Sequence, residues 1–321
     1  MRITGSVTIR RNSAYQAEAV TFAALIGNPL VAHKVNELCF EIPEYFCYIL
    51  NMSYLYETHL HTSESSACGV SRGKEYIERY LDLGYSGVII TDHFIRGNCA
   101  ADRNLLWERW VEQFCRGFED AREEGRRRGL DVFFGWEETF DGDDYLVYGL
   151  DKQWLLKHPE ARRWSRKEQF EEVRRYGGCV VQAHPFRQQH YIDCIHLSAG
   201  CVDAVEAANG GNNREENVLA LGYAQKLHLP FTAGSDIHNA KDIDKDTVFG
   251  VYLNEKMETI ADYVSAIHNN AISALHVPAG YLDTTQMDTR VSLPVDIRDS
   301  QDMSTGESLG VFFKKELRHA G

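Results

Sequence analysis

The most constraining feature of this 321-residue chain is an alternation of short apolar runs and helical segments that begins near Met52. Short apolar runs bounded by turn residues predict buried strands, and strands separated by helices are typical of a parallel sheet. Residues that can bind metal follow at least five of these runs. Because they stand at the carboxyl ends of different strands, they favour a closed α/β barrel over an open sheet, which gathers its ligands at one switch point.

Five short clusters at the predicted strand ends supply nitrogen or oxygen ligands. In the first, His59 and His61 flank one apolar residue, so on a strand both imidazoles point to the same face. In chain order the clusters are His59-Leu60-His61, Thr91-Asp92-His93, Gly135-Trp136-Glu137, Ala183-His184-Pro185 and Gly234-Ser235-Asp236-Ile237-His238. They offer seven candidate metal ligands, namely His59, His61, His93, Glu137, His184, Asp236 and His238.

The size of this ligand set predicts more than one ion. Five imidazoles and two carboxylates exceed the three or four protein ligands of a single zinc site. An acid such as Glu137 or Asp236 can bridge two ions about 3.5–4 Å apart. Mixed nitrogen and oxygen ligation suits Mn, Fe or Zn rather than Mg or Ca alone. We therefore expect two or more transition-metal ions.

We interpret the chain as three parts. Residues 1–51 show neither the alternation nor a ligand cluster and form an N-terminal appendage of unknown role, or a helical cap on the barrel. Residues 52–280 form the barrel of about seven strand–helix units, with one long charged helix over residues 104–128 that ends at Gly129. Residues 281–321 are rich in Asp, Ser and Thr and are expected to be a loosely packed C-terminal tail.

Composition excludes some classes of partner. The formal net charge of −13 argues against a surface for extended nucleic acid or for an anionic membrane. It leaves a small phosphorylated substrate open, because bound metal ions reverse the local charge. No stretch reaches the roughly 18 apolar residues of a membrane span. Eight scattered cysteines without a C-x-x-C pair favour reduced thiols in a cytoplasmic protein.

The ordered clusters resemble the PHP (polymerase and histidinol phosphatase) family of metal-dependent phosphoesterases. The resemblance covers roughly residues 54–276, and it depends on the order of the motifs, since each motif alone is a weak signal. The motifs are His59-Leu60-His61-Thr62, Ile90-Thr91-Asp92-His93, Gly135-Trp136-Glu137, Gln182-Ala183-His184-Pro185 and Gly234-Ser235-Asp236-Ile237-His238. The resemblance implies a distorted (β/α)7 TIM-like barrel, with two or three divalent Mn, Fe or Zn ions held at its mouth by the seven candidate ligands.

The chain departs from the family pattern at two places. Many members carry an Asp or His a few residues after the first histidine pair, where this chain has Cys68. Cys68 could bind a soft metal as thiolate, or the site could hold one ion fewer; an inert Cys68 is the preferred interpretation. Many members also have a His on the strand after the glutamate. Asp144 is the candidate substitute there, and a solvated acidic turn is the alternative.

The resemblance implies a hydrolase that cleaves a small phosphomonoester or a nucleotide by metal-activated hydroxide. Asp236 would orient or deprotonate the water, and a site histidine such as His238 would protonate the leaving alkoxide. Arg187 is the candidate for binding the substrate phosphate, because a guanidinium matches phosphate in a bidentate manner. Arg96 is a second candidate for that role.

Two other interpretations stay open. The same metal chemistry on a barrel also hydrolyses amides and lactones, as in amidohydrolases. The barrel could instead be a non-catalytic, metal-bound regulatory module with residues 1–51 as its partner-binding arm. The near-complete ligand set argues against that module, because a purely structural metal site keeps no open coordination position.

Overall fold

The computed structural model describes residues 53–278, 281–282, 288 and 290–314, and the predicted appendage over residues 1–51 lies outside them. The strands are β1 (Tyr54–Leu60), β2 (Gly87–Ile90), β3 (Asp131–Phe140), β4 (Asp143–Tyr148), β5 (Cys179–Gln182), β6 (Ile195–Leu197), β7 (Ala204–Asn209), β8 (Phe231–Gly234), β9 (Gly250–Leu253), β10 (Ala274–His276) and β11 (Val295–Ile297). The helices are α1 (Gly73–Asp82), α2 (Trp107–Phe114), α3 (Arg116–Arg128), α4 (Lys152–Lys157), α5 (Arg166–Arg175), α6 (Arg214–Leu227), α7 (Ile260–His268) and α8 (Leu309–Lys314).

The main sheet curls into a nearly closed barrel. Its nine strands follow the order β10-β9-β1-β2-β3-β4-β5-β7-β8, and the seven from β1 to β8 form the barrel wall. The backbone after β8 closes the ring against β1: His61 N donates to Ile237 O at 3.0 Å, and Asp236 N donates to His59 O at 2.9 Å. The predicted α/β barrel is confirmed, and its closure joins the first and last ligand clusters directly.

The barrel is distorted at β4, which runs antiparallel to both of its neighbours, β3 and β5. The turn from β3 into β4 consists of Asp141 and Gly142, with φ of +55° and +93°. A two-residue Asp-Gly turn makes a hairpin, whereas a parallel return requires a crossover of a dozen residues or more. The strand–helix alternation is therefore interrupted between these two strands.

The single long helix predicted over residues 104–128 is wrong in detail, because the chain forms α2 and α3 with a break at Cys115. The side chains of α2 bury an aromatic face that includes Trp110 and Phe114. Helix α3 instead approaches the site loop through Gly117, where a Cβ would lie 1.8 Å from Thr62 Oγ1. Gly129 ends α3 with φ of +91°, as its position predicts.

Part of the segment expected to be a loose tail is packed. Strand β11 pairs in parallel with β6, and the short helix α8 buries Leu309 and Phe312. These side chains join a cluster that includes Tyr223 of α6. The polar composition of this segment did not predict the packing, because two buried apolar side chains are enough to anchor the short helix α8. Among the residues that the structure describes, no helix is long and apolar enough to cross a membrane.

Candidate metal centre

The barrel brings all seven predicted ligands to one place, at the carboxyl ends of its strands. Strand β3 extends past the end of its neighbour β2, and there Glu137 forms a parallel β-bridge with His93 of the loop that follows β2. The nitrogen and oxygen atoms form four overlapping groups, within each of which all atoms lie within 4.8 Å of one another. The groups are His61, His93 and His238; His59, His61 and Glu137; His59, His184 and Asp236; and Glu137, Asp144 and His184.

The first histidine pair is oriented from behind by two buried partners. His59 Nδ1 lies 2.9 Å from Glu206 Oε1, and His61 Nδ1 lies 3.2 Å from Ser66 Oγ. Ser66 Oγ donates in turn to Asp92 Oδ1 at 2.6 Å, so it accepts the hydrogen bond from His61 Nδ1. With both Nδ1 atoms bound by these partners, both Nε2 atoms face the centre, only 3.1 Å apart.

Two carboxylates complete this set of acceptors. Glu137 Oε1 lies 3.2 Å from His59 Nε2 and 3.1 Å from His184 Nε2. Asp236 Oδ1 lies 3.1 Å from His61 Nε2. The buried atoms Glu137 Oε2 and His93 Nδ1 lie 2.8 Å apart but have no hydrogen-bond partner among the described residues. Carboxylate oxygens and imidazole nitrogens that converge at these distances require positive charge among them, as protons or as metal ions, so the ligand set fits divalent metal ions.

The electrostatics agree with a cation site. Burial favours neutral Glu137, but the nearby His59, His93 and His184 outweigh it and hold the pKa of this carboxyl well below its usual range. Burial likewise opposes ionised Asp236, and His59 and Arg187 reverse that effect, so its pKa also falls well below the usual range. Both groups are therefore carboxylates at neutral pH, the state in which they bind metal.

Two ligand residues have an uncommon backbone conformation. His184 has a backbone φ of +28° and Asp236 one of +54°. Residues other than glycine seldom adopt this left-handed region. Such residues persist where the surrounding structure fixes them, and they cluster at functional sites. Here the backbone hydrogen bond from Asp236 to His59 closes the barrel and holds the carboxylate over the histidine pair.

The two predicted phosphate-binding arginines have different surroundings. Arg187 lies at the edge of the ligand cluster, where its Nη2 donates to Asp236 Oδ2 at 2.7 Å and to Asn209 Oδ1 at 2.8 Å. Arg96 instead donates to Glu138 Oε2 at 2.8 Å and takes no part in the converging set. Only Arg187 is therefore positioned beside the candidate metal centre.

Both substitutes for the missing family ligands contact the cluster. Asp144 Oδ2 lies 3.8 Å from His184 Nε2, and burial together with the Glu137 charge raises its pKa to about 6. The half-buried Cys68 forms hydrogen bonds with His238 and His93. Burial raises the pKa of this thiol, but those hydrogen bonds outweigh it and lower the pKa to about 6.

Sequence reasoning assigned no role to Glu206 and Glu57, which support the site. Glu206 lies in β7 and binds His59 Nδ1, His184 N at 3.0 Å and Asn209 Nδ2 at 2.9 Å. Glu57 lies in β1 and accepts from His59 N and Ser235 N, both at 2.9 Å. A glutamate inside an apolar strand is the signal that could have identified both, because a buried carboxylate needs partners.

Comparison with known proteins adds three findings. A family model described as PHP-associated matches residues 214–270. No curated protein matches this chain in sequence. A crystal structure from Bacteroides vulgatus, of a two-domain protein containing a predicted PHP-like metal-dependent phosphoesterase, has the same fold at 17% identity and a TM-score of 0.52. The match covers 71% of this chain but 65% of that one, less than two thirds of its length.

Two further structures are more distant. One is a Bifidobacterium adolescentis protein provisionally named a metal-dependent phosphoesterase, with 17% identity, a TM-score of 0.42, and coverage of 68% of this chain and 96% of that one. The other is an amidohydrolase from Chromobacterium violaceum with bound sulfate and no metal, with 15% identity, a TM-score of 0.42, and coverage of 71% and 99%. The PHP-associated match over residues 214–270 supports the resemblance to the PHP family seen in the sequence, and the Bacteroides vulgatus structure shows that the barrel fold is shared.

Proposed function

We propose that this protein is a metal-dependent phosphoesterase that hydrolyses a small phosphomonoester or a nucleotide. The observation that supports it most is the guanidinium of Arg187 beside a cluster of imidazoles and carboxylates, with its Nη2 2.7 Å from Asp236. Such a cluster attracts divalent cations, and an adjacent guanidinium supplies a planar, bidentate contact for a phosphate group. An amide or lactone substrate would give Arg187 no matching anion to bind.

The residues of the chain divide the work between binding and orientation. When bound, divalent ions lower the pKa of a water molecule and neutralise charge on the phosphate oxygens. Asp236 lies between His61 and Arg187 as a carboxylate and is assigned to hold the attacking water by accepting its hydrogen bond. Arg187 is assigned to orient the phosphate towards that water.

A proton for the leaving oxygen must come from a group near solvent. His238 has the most exposed side chain of the five site histidines, at 30%, and its Nδ1 donates to Asp236 O at 2.9 Å. Its Nε2 is therefore the free end of the ring. A His238 that carries no metal can donate a proton from Nε2, whereas a metal-bound His238 cannot.

The size of the substrate follows from charge. The chain has a formal net charge of −13, so it repels a long polyanion. Arg187 is one guanidinium, enough for a single phosphate group, and its side chain is 12% exposed. These features favour a small phosphate ester over an extended nucleic acid.

The test uses full-length protein that has been stripped of metal and reloaded with Mn, Fe or Zn. We expect chelator-sensitive hydrolysis of an aryl phosphate, lost in Asp236→Asn and retained in Asp246→Asn, a matched change at an exposed aspartate. A cyclic amide and a lactone are assayed in parallel. Faster hydrolysis of either would favour the amidohydrolase interpretation, and metal binding without any hydrolysis would favour the regulatory module. A panel of phosphorylated metabolites then identifies the substrate.

A further inference from the structure

The loop between β5 and β7, residues 183–203, carries two residues of the site, His184 and Arg187. Between them the backbone is strained, with φ of +28° at His184 and +74° at Phe186. A bulky residue seldom adopts a positive φ, and such a conformation persists only where the surrounding structure fixes it. Contacts from outside this turn must therefore hold it, and with it the position of Arg187.

The ring of Phe186 is held by an apolar cluster. It is fully buried and meets Tyr223 of α6 edge-on, with ring centroids 5.9 Å apart. Tyr223 also contacts Phe312 of α8, at a centroid distance of 5.8 Å. The C-terminal segment, residues 290–314, contributes three buried side chains to this cluster, namely Ile297, Leu309 and Phe312. The segment therefore completes the packing that buries Phe186.

The same segment binds the β5–β7 loop through hydrogen bonds. Strand β11 of the segment pairs in parallel with β6, which lies within the loop, and Ile195 N donates to Pro294 O at 2.9 Å. Directly after Arg187, the side-chain oxygen of Gln188 accepts from Ser292 N at 2.7 Å and from Ser292 Oγ at 2.6 Å. The segment thus contacts the loop both beside Arg187 and along β6.

A buried ion pair fixes the segment to the barrel. Arg166 of α5 is 2% exposed, and its Nη1 donates to the two carboxylate oxygens of Asp302 at 2.8 and 3.1 Å. Asp302 has φ of +59°, a conformation that Asp and Asn adopt more readily than most residues. Removing one partner of a buried pair leaves an uncompensated charge, so this contact favours the docked segment.

We infer that the C-terminal segment is a positioning element for the reaction: it holds the turn at Phe186, so that the guanidinium of Arg187 stays beside Asp236. The inference rests on the proposed function, which assigns Arg187 to the substrate phosphate. His184 has a separate anchor in the barrel wall, because its backbone N donates to Glu206 Oε2 at 3.0 Å. Releasing the segment should therefore weaken phosphate binding and leave metal binding unchanged.

The experiment uses the full-length, metal-loaded protein and two variants that release the segment by different means. Asp302→Asn removes the charge of the ion pair, and Phe312→Ala removes the buried ring. Each has a matched control: Asp246→Asn changes an exposed aspartate, and Ile267→Ala truncates a buried side chain of α7 in a different cluster.

Calorimetry with inorganic phosphate and kinetics with an aryl phosphate report on the position of Arg187. We expect the Kd of phosphate and the KM to rise about tenfold in both segment variants, the scale of one lost charge-assisted hydrogen bond. Their kcat and metal content should stay within about twofold of the wild type. Both controls should keep the wild-type constants, which separates displacement of Arg187 from a general loss of stability.

Hydrogen exchange measured by mass spectrometry reports on the turn without any ligand. Peptides that cover residues 184–197 should exchange faster in both segment variants than in the wild type, because the backbone there loses its packing. Peptides from β1 and β2 should keep the wild-type rate. In Ile267→Ala the peptides over residues 184–197 should also keep it.

The outcomes separate this inference from the proposed function. An unchanged phosphate affinity in both segment variants of a phosphate-binding wild type, or exchange over residues 184–197 no faster than in the controls, overturns the inference even if the protein is an active phosphatase. A wild type that binds no phosphate contradicts the proposed function, and the exchange of the turn then decides whether the segment holds it. If Phe312→Ala fails to fold, Asp302→Asn decides, since asparagine keeps the size of the side chain and tolerates the same φ.

Discussion

The Nε2 atoms of His59 and His61 lie 3.1 Å apart, and Glu206 and Ser66 bind the opposite nitrogens of the two rings. A contact between two lone pairs is repulsive unless a cation or a proton lies between them. The alternation of side chains along β1 brings the rings together, and the buried partners fix which nitrogen faces inward. Metal binding and stability of the barrel are therefore linked at this pair.

Metal loading should stabilise the folded protein, since a ligand that binds only the folded state adds RT ln(1 + [L]/Kd), about 2.7 kcal/mol at a hundredfold excess over Kd. Thermal unfolding with and without zinc measures this. His61→Ala should abolish the zinc-dependent shift, whereas His268→Ala, at an exposed histidine of α7, should retain it. An equal shift in both variants would contradict the role of His61.

Glu206→Gln should weaken metal binding by about 10–100-fold without unfolding the barrel, because partners of ligating histidines contribute on that scale. The amide keeps the shape of the side chain but removes the charge that orients His59. Glu138→Gln is the matched control, a buried carboxylate that faces Arg96 instead. Zinc titration calorimetry compares the two. A larger loss of affinity in Glu138→Gln than in Glu206→Gln would reject the argument.

Arg187→Lys should raise KM for a phosphate ester and the inhibition constant of inorganic phosphate by about 10–100-fold, since charge-assisted hydrogen bonds contribute about 1.5–3 kcal/mol. The lysine keeps the positive charge beside Asp236 but lacks the planar fork of the guanidinium. Metal content should stay at the wild-type level. Arg96→Lys, at the arginine paired with Glu138, should leave both constants unchanged. A lower kcat with an unchanged KM would contradict the assignment of Arg187 to binding the substrate phosphate.

The ligand positions could be predicted from the sequence because they depend on local rules. Each ligand follows an apolar strand, and strand ends of a barrel converge on one mouth. That logic placed His59, His184 and Asp236 together although 125 residues or more separate the first from each of the others. The order of the motifs along the chain added the resemblance to the PHP family, and with it the expectation of a seven-stranded barrel.

The supporting carboxylates could not be predicted in the same way, because their roles depend on contacts between distant strands. Glu206 of β7 binds His59 of β1, 147 positions away, and no local pattern encodes that pair.

The packed C-terminal segment gives a final prediction about stability. Phe312 is 7% exposed, and its ring centroid lies 5.8 Å from that of Tyr223 in α6. Phe312→Ala should lower the free energy of unfolding by about 3 kcal/mol, through lost burial and the cavity left behind. The neighbouring Val311 is 54% exposed, so Val311→Ala should change it by less than about 0.5 kcal/mol. Urea unfolding of the full-length protein measures both. Equal free energies of unfolding for the two variants would contradict burial of the Phe312 ring, because the two substitutions should differ only if that ring is packed.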